Sequence, residues 1–206
     1  MLALTPLLWA FLPLTIASTL PTINTTALTP WQLTALSTSS PPGMPAVHPY
    51  SHLFFTISDP NTITLGTTHF GDAGFPPSAV NCSVWWMSFG DDPRDTGVEN
   101  ACDAMLPGVR GKWTFTVVEG RDPTRGVTTD VGLRIGLEEA VSLETGGVVS
   151  VRFEGEVVLS VGEEMAGTCG GSGVCSWGLK GELVPVLVQQ RLVGVECVAA
   201  CDVGSE

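Results

Sequence analysis

Charge is missing from the start of this chain: no Asp, Glu, Lys or Arg precedes Asp59. Histidine is scarce too, with His48, His52 and His69 the only three in 206 residues. All three precede the first cysteine, Cys82, and no C-x-x-C pair occurs, so the ligand spacings of a zinc site are absent. His48 and His52 are four apart, but Pro49 and the strand-like run after it exclude a helical H-E-x-x-H pair. No glycine loop carries the lysine that cradles a phosphate. Helical periodicity is lacking, and 24 Gly with 15 Pro disfavour long helices. Nine basic residues, scattered from Arg94 to Arg191, face 21 acidic ones. The resulting net charge of −12 repels phosphate backbones and anionic lipid, so nucleic acid is not an expected partner.

What is present begins with an apolar leader. Residues 2–17 read LALTPLLWAFLPLTIA, with small residues, Ala17 and Ser18, where a signal peptidase cuts. The stretch falls short of the roughly 20 apolar residues that span a bilayer, and Pro6 and Pro13 interrupt it. Residues 1–17 are therefore expected to be a cleaved signal peptide, and the mature protein to be secreted and free of the membrane. No Lys or Arg marks the leader's start. Residues 18–30 form a Thr- and Pro-rich tether with one glycosylation acceptor, Asn24.

From Trp31 the pattern changes to short alternating runs rich in β-branched and aromatic residues, split by Gly and Pro. Strands are expected over 31–37, 50–58, 63–67, 82–87, 113–118, 131–143, 148–161, 176–183 and 186–193. Residues 37–49, 71–77 and 90–107 are expected to be loops. The clearest local signal is a hairpin around Thr145-Gly146-Gly147. A three-residue loop there pairs Leu143 with Val149, Val141 with Val151, Ile135 with Val157 and Leu133 with Leu159. Two long strands with one apolar face need a second layer. The fold class is thus all-β: an antiparallel barrel or sandwich over 31–193, with little helix, followed by a tail at 194–206.

Export through an oxidising lumen makes the six cysteines bridges rather than ligands or nucleophiles. Proximity pairs Cys82 with Cys102, Cys169 with Cys175 and Cys197 with Cys201. The first closes a loop of about 20 residues and contributes roughly 3 kcal/mol through the unfolded state. Asn81-Cys82-Ser83 is formally a glycosylation acceptor, but bridging of its middle residue argues against a glycan.

Several of these elements recur in order: an opening strand with Trp31-Gln32-Leu33, the run SHLFFTISDPN, and Cys82, Val84 and Trp86 alternating on one strand. Cys102 follows, then Trp113, Phe115 and Val117 alternating, then a Cys, Gly-rich turn, Cys element from Cys169 to Cys175. Over 31–192 this order and spacing resembles the Alternaria major-allergen family of fungal secreted β-barrel proteins. The resemblance implies two internal disulfides, secretion by a filamentous fungus, no enzymatic activity, and an effector or elicitor role in which some members bind host defence proteins. This chain departs from that pattern in having no cysteine before Cys82 and in adding Cys197 and Cys201.

No catalytic residue is singled out. Gly170-Gly171-Ser172-Gly173 resembles a nucleophile elbow but ends in Val174 between two cysteines. Asp91-Asp92, Glu138-Glu139 and Glu163-Glu164 are adjacent acids, and neighbours on a strand point to opposite faces, unlike a glycosidase pair across a cleft. Trp85 and Trp86 are consecutive on a strand, so one faces outward. If Trp86 shares the core face with Val84, Trp85 either lies exposed, ready to stack on a sugar ring or anchor a protein, or is covered by the 90–107 loop. The expectation is a secreted, non-enzymatic binding protein with no cofactor and no metal. Its partner is an extracellular host protein or, alternatively, a cell-wall polysaccharide; a secreted hydrolase is the remaining alternative.

Overall fold

The computed structural model describes residues 28–43, 49–68, 70–103, 111–144 and 146–198. The leader (1–17), most of the tether with Asn24, and also His48, His69 and Cys201 lie outside the described residues. Among the described residues thirteen strands follow in chain order: β1 (Trp31–Ser40), β2 (Tyr50–Asp59), β3 (Ile63–Thr68), β4 (Gly71–Phe75), β5 (Ser78–Met87), β6 (Asn100–Ala101), β7 (Lys112–Val118), β8 (Asp130–Ser142), β9 (Val148–Ser160), β10 (Met165–Cys169), β11 (Cys175–Leu179), β12 (Val186–Val188) and β13 (Gln190–Val198). A short helix, α1 (Pro93–Thr96), sits between β5 and β6.

The strands form two antiparallel sheets and a separate β3–β4 hairpin. The first sheet runs β10-β11-β1-β2-β5, with β12 sharing the β11 edge of β1. The second runs β13-β9-β8-β7-β6. They are sandwich-like, and no closed barrel forms among the described residues. Strand alternation explains the packing: Leu53, Phe55 and Ile57 of β2 point inward, as do Leu133, Ile135 and Leu137 of β8. Rings meet across the layers. Trp31 lies 4.9 Å from Trp113, and Phe55 packs edge-on to Phe115 at 5.0 Å. Gly155 makes room for this core, because a Cβ there would stand 2.9 Å from Val188 Cγ1 and 3.2 Å from Trp31 Cε3.

A bulge in each of the two sheets adjusts the alternation. In β1 the register shifts between Leu33 and Ala35, so Trp31 and Leu33 point inward first and Leu36 and Thr38 afterwards. In β13 a second shift, between Leu192 and Gly194, does the same for Leu192 and then Val195.

The long hairpin differs from expectation by two residues. Val141 pairs with Val149, Leu137 with Phe153 and Leu133 with Val157. The connection spans residues 143–147, closed by Leu143 N–H donating to Gly147 O at 2.7 Å. Leu143 is buried and lies outside the β8–β9 ladder, which ends at Ser142 and Val148. A two-residue slip preserves which face each side chain takes, so the inward set is unchanged. Residues 71–75, expected as loop, form β4; residues 165–169 form β10; and 100–101 form β6. The strand expected over 176–183 stops at Leu179, where a 3-10 turn (Gly181–Leu183) follows. β13 continues through Val198, so the expected tail starts as part of the second sheet.

Cys82 is bonded to Cys102, and Cys169 to Cys175. Cys197 is also disulfide-bonded. The first bridge ties buried Cys82 on β5 to the segment after β6, where Asp103 N–H donates to Asn81 O at 2.8 Å. This covers part of the β5 edge, which would otherwise offer unpaired backbone groups.

Candidate binding face

Because Ser51, Leu53, Phe55 and Ile57 of β2 point into the core, Tyr50, His52, Phe54 and Thr56 point out. The register to β5 then decides what stands beside them. Tyr50 pairs with Met87, His52 with Trp85, Phe54 with Ser83 and Thr56 with Asn81. Trp86 packs against the core alongside Val84, which turns Trp85 outward. Trp85 is 64% exposed and Tyr50 52%, and residues 104–107 of the loop expected to cover the indole lie outside the described residues. The His52 and Trp85 rings stack at 4.5 Å with a 34° tilt. Phe54 and Met87 add further exposed apolar surface.

On the other flank of β2 the face becomes hydroxylic. β1 sets Ser39 opposite His52 and Ser37 opposite Phe54. β11 sets Ser176 opposite Ser39, and β10 sets Thr168 opposite Ser176. One row therefore crosses five strands: Thr168, Ser176, Ser39, His52, Trp85. Thr56 Oγ1 donates to Asn81 Oδ1 at 2.8 Å on the same face. Among the strands of this sheet the one Asp, Glu, Lys or Arg is Asp59, which is buried. Partial burial lowers the pKa of His52 below its ordinary value, so its imidazole is neutral at neutral pH.

The remaining sequence candidates are placed elsewhere. Ser172 sits in the turn between Cys169 and Cys175. Asp92 caps α1 and binds Arg94 Nη2 at 2.5 Å, and this guanidinium holds its carboxyl below the usual range. Glu163 and Glu164 both bind Arg121, which likewise depresses the Glu164 pKa. A general acid in glycoside hydrolysis needs the opposite shift. Glu138 is exposed and Glu139 buried, so the pair does not face one space. No group of three or more His, Cys, Asp or Glu among the described residues is placed to hold a metal ion.

The aromatic face presents its rings outward on a sheet surface, and depressions lined by other described residues lie away from it. One, of about 490 Å³, sits between the β3–β4 hairpin and the end of β8, lined by Phe70, Asp72, Val141 and Glu144. Sequence reasoning singled out Trp85 but missed its companions. Their signal was the alternation of Tyr50, His52 and Phe54 with Ser51, Leu53 and Phe55, and only the β2–β5 register joins them to Trp85. No protein-family model matches the chain, and comparison with curated proteins and with solved structures finds no match, so the functional reading rests on this face.

Proposed function

We propose that the chain is a secreted binding protein that performs no chemistry of its own and engages an extracellular partner through the outer face of the first sheet. The observation that carries this reading is Trp85, 64% exposed and stacked on His52, with Tyr50, Phe54 and Met87 around it on a sheet face without charge. A soluble domain gains nothing in stability from a contiguous exposed aromatic cluster, and such patches mark interaction sites. The apolar leader and the disulfides support passage through an oxidising pathway. No helix among the described residues is long and apolar enough to cross a membrane. The resemblance to the Alternaria allergen family supports the same setting, the surroundings of a fungus and its plant host.

The test is capture of extracellular material, both host apoplastic proteins and wall polymers, by the secreted protein and by its Trp85→Ala variant. Wild-type capture that is lost in the variant supports the reading. Capture indifferent to Trp85, or turnover of any polymer tested, overturns it.

A further inference from the structure

Resting on that reading, we infer that the partner is a neutral polysaccharide, with its chain lying across the strands along the row from Trp85 to Thr168. A pyranose ring has apolar C–H faces and a rim of hydroxyls. It therefore asks two things of a surface: a flat ring to stack on, and groups beside it that both donate and accept hydrogen bonds. The face supplies these side by side. Trp85 and His52 form the stacking end. Ser39, Ser176 and Thr168 continue the same row, and a hydroxyl serves as donor and acceptor at once. No hydrogen bond within the described residues engages the hydroxyls of these three.

Four inter-strand steps of about 4.8 Å make the row roughly 19 Å long, enough for several linked sugar rings. The side chains beyond the stacking end are small, which leaves room for an extended chain or the surface of an insoluble polymer. Electrostatics narrows the partner further. Protein interfaces draw on charge for steering and register, and Arg is enriched at their hot spots. Here the net charge is −12, yet the strands of this sheet carry one charged residue, Asp59, and it is buried. Acidic polymers meet repulsion from the molecule as a whole, and cationic ones find no counter-charge on the platform. A neutral polymer meets neither obstacle.

The experiment is depletion of the full secreted protein from suspensions of cellulose, chitin and β-1,3-glucan, with soluble polygalacturonate as the acidic comparison. Four proteins are compared: wild type, Trp85→Ala, Ser39→Asp, and Arg134→Ala on the opposite sheet. Thermal melts confirm that each is folded. The expected result is retention on at least one neutral polymer, unchanged by 1 M salt taken as roughly a 3 Å screening length. Trp85→Ala and Ser39→Asp should each weaken retention by about ten-fold or more, while Arg134→Ala leaves it intact. Binding of polygalacturonate in preference to the neutral polymers overturns the inference. So does capture of a host protein through Trp85 with no polymer retained, although that outcome leaves the binding function standing. A wild-type dimer in sedimentation that Trp85→Ala converts to monomer shows that a second copy occupies the face, and also overturns it. Retention indifferent to Trp85, or no binding of any kind, removes both the inference and the function beneath it.

Discussion

The two outer faces of the sandwich share one construction rule and carry opposite chemistry. Both sheets alternate inward apolar residues with outward ones, and both contribute fully buried side chains to the core. On the second sheet the outward positions hold Arg134, Glu138, Arg152, Glu154, Glu156 and Arg191. Arg134 pairs with Glu156 at 3.4 Å, while Arg152 and Arg191 both reach Glu154 at 3.5 Å. On the first sheet the same positions hold rings, hydroxyls and amides, with no ion pair. Packing dictates the inward residues of both layers and is indifferent to the outward ones. Under the proposed function, the contrast reflects what each face meets: water for the ion-paired sheet, a partner for the other.

The largest effect comes from removing what the two faces have in common. Phe153 is fully buried on β9 beneath the charged face. Phe153→Ala should cost about 3–5 kcal/mol. Because the core is shared, the loss should melt both sheets in one transition, in circular dichroism and in Trp fluorescence alike. Two separate transitions would show that the layers are independent. Next in size is the staple on the aromatic sheet alone. Cys82→Ser with Cys102→Ser frees the segment that covers the β5 edge and should cost about 2–4 kcal/mol. Denaturant titration measures the loss, and hydrogen exchange should show it concentrated at β5, beside Trp85, rather than at β8 and β9.

The inward faces were legible in the sequence, because alternation of apolar residues has one explanation in strands of this length. Where reading failed, a physical cause hid the signal. The bulge in β1 flips the inward set from Leu33 to Leu36, which looks in sequence like the end of alternation. β10 buries Met165 alone, and its remaining residues are exposed, so it has no period to detect. β4 carries two glycines in five residues, which read as a loop. The long hairpin kept its faces but missed its register, since a slip of two leaves the pattern untouched. At the platform, adjacency of Trp85 and Trp86 required one of them to face outward. Which residues surround Trp85 depends on how β2 and β5 align, and the intervening β3–β4 hairpin conceals that alignment from sequence.

A smaller effect separates the faces by pH. Burial favours neutral His52 in the folded protein, so its folded pKa lies below the unfolded value. The stability this reflects is present above the unfolded value of about 6.5 and is lost as pH falls through the lowered folded pKa. Acidification also puts a cation on the charge-free face, so retention of a neutral polymer should weaken below that pKa. Nuclear magnetic resonance titration of the His52 ring gives the midpoint, and polymer binding should follow it. His52→Gln should flatten this pH dependence of binding. A pH profile unchanged in His52→Gln would remove the ring from the platform's working surface.

The smallest effect is expected on the second sheet. Its Arg134–Glu156 pair is exposed, with side-chain accessibilities of 52% on both residues. Such pairs contribute about 0–1 kcal/mol, because water already solvates each charge and salt screens the attraction. Arg134→Ala should therefore shift stability by no more than about 0.5 kcal/mol in a denaturant titration. The predicted change is in solubility. Replacing Arg134, Arg152 and Arg191 together by Ser leaves the acidic partners uncompensated and makes the net charge more negative. Monomer should then persist at higher protein concentration, whereas adding one apolar ring to the first sheet, as in Ser37→Phe, should lower that limit. Opposite shifts of the solubility limit from equally mild surface substitutions would show that the two faces are under different demands. Equal shifts would mean that the contrast between them is compositional accident.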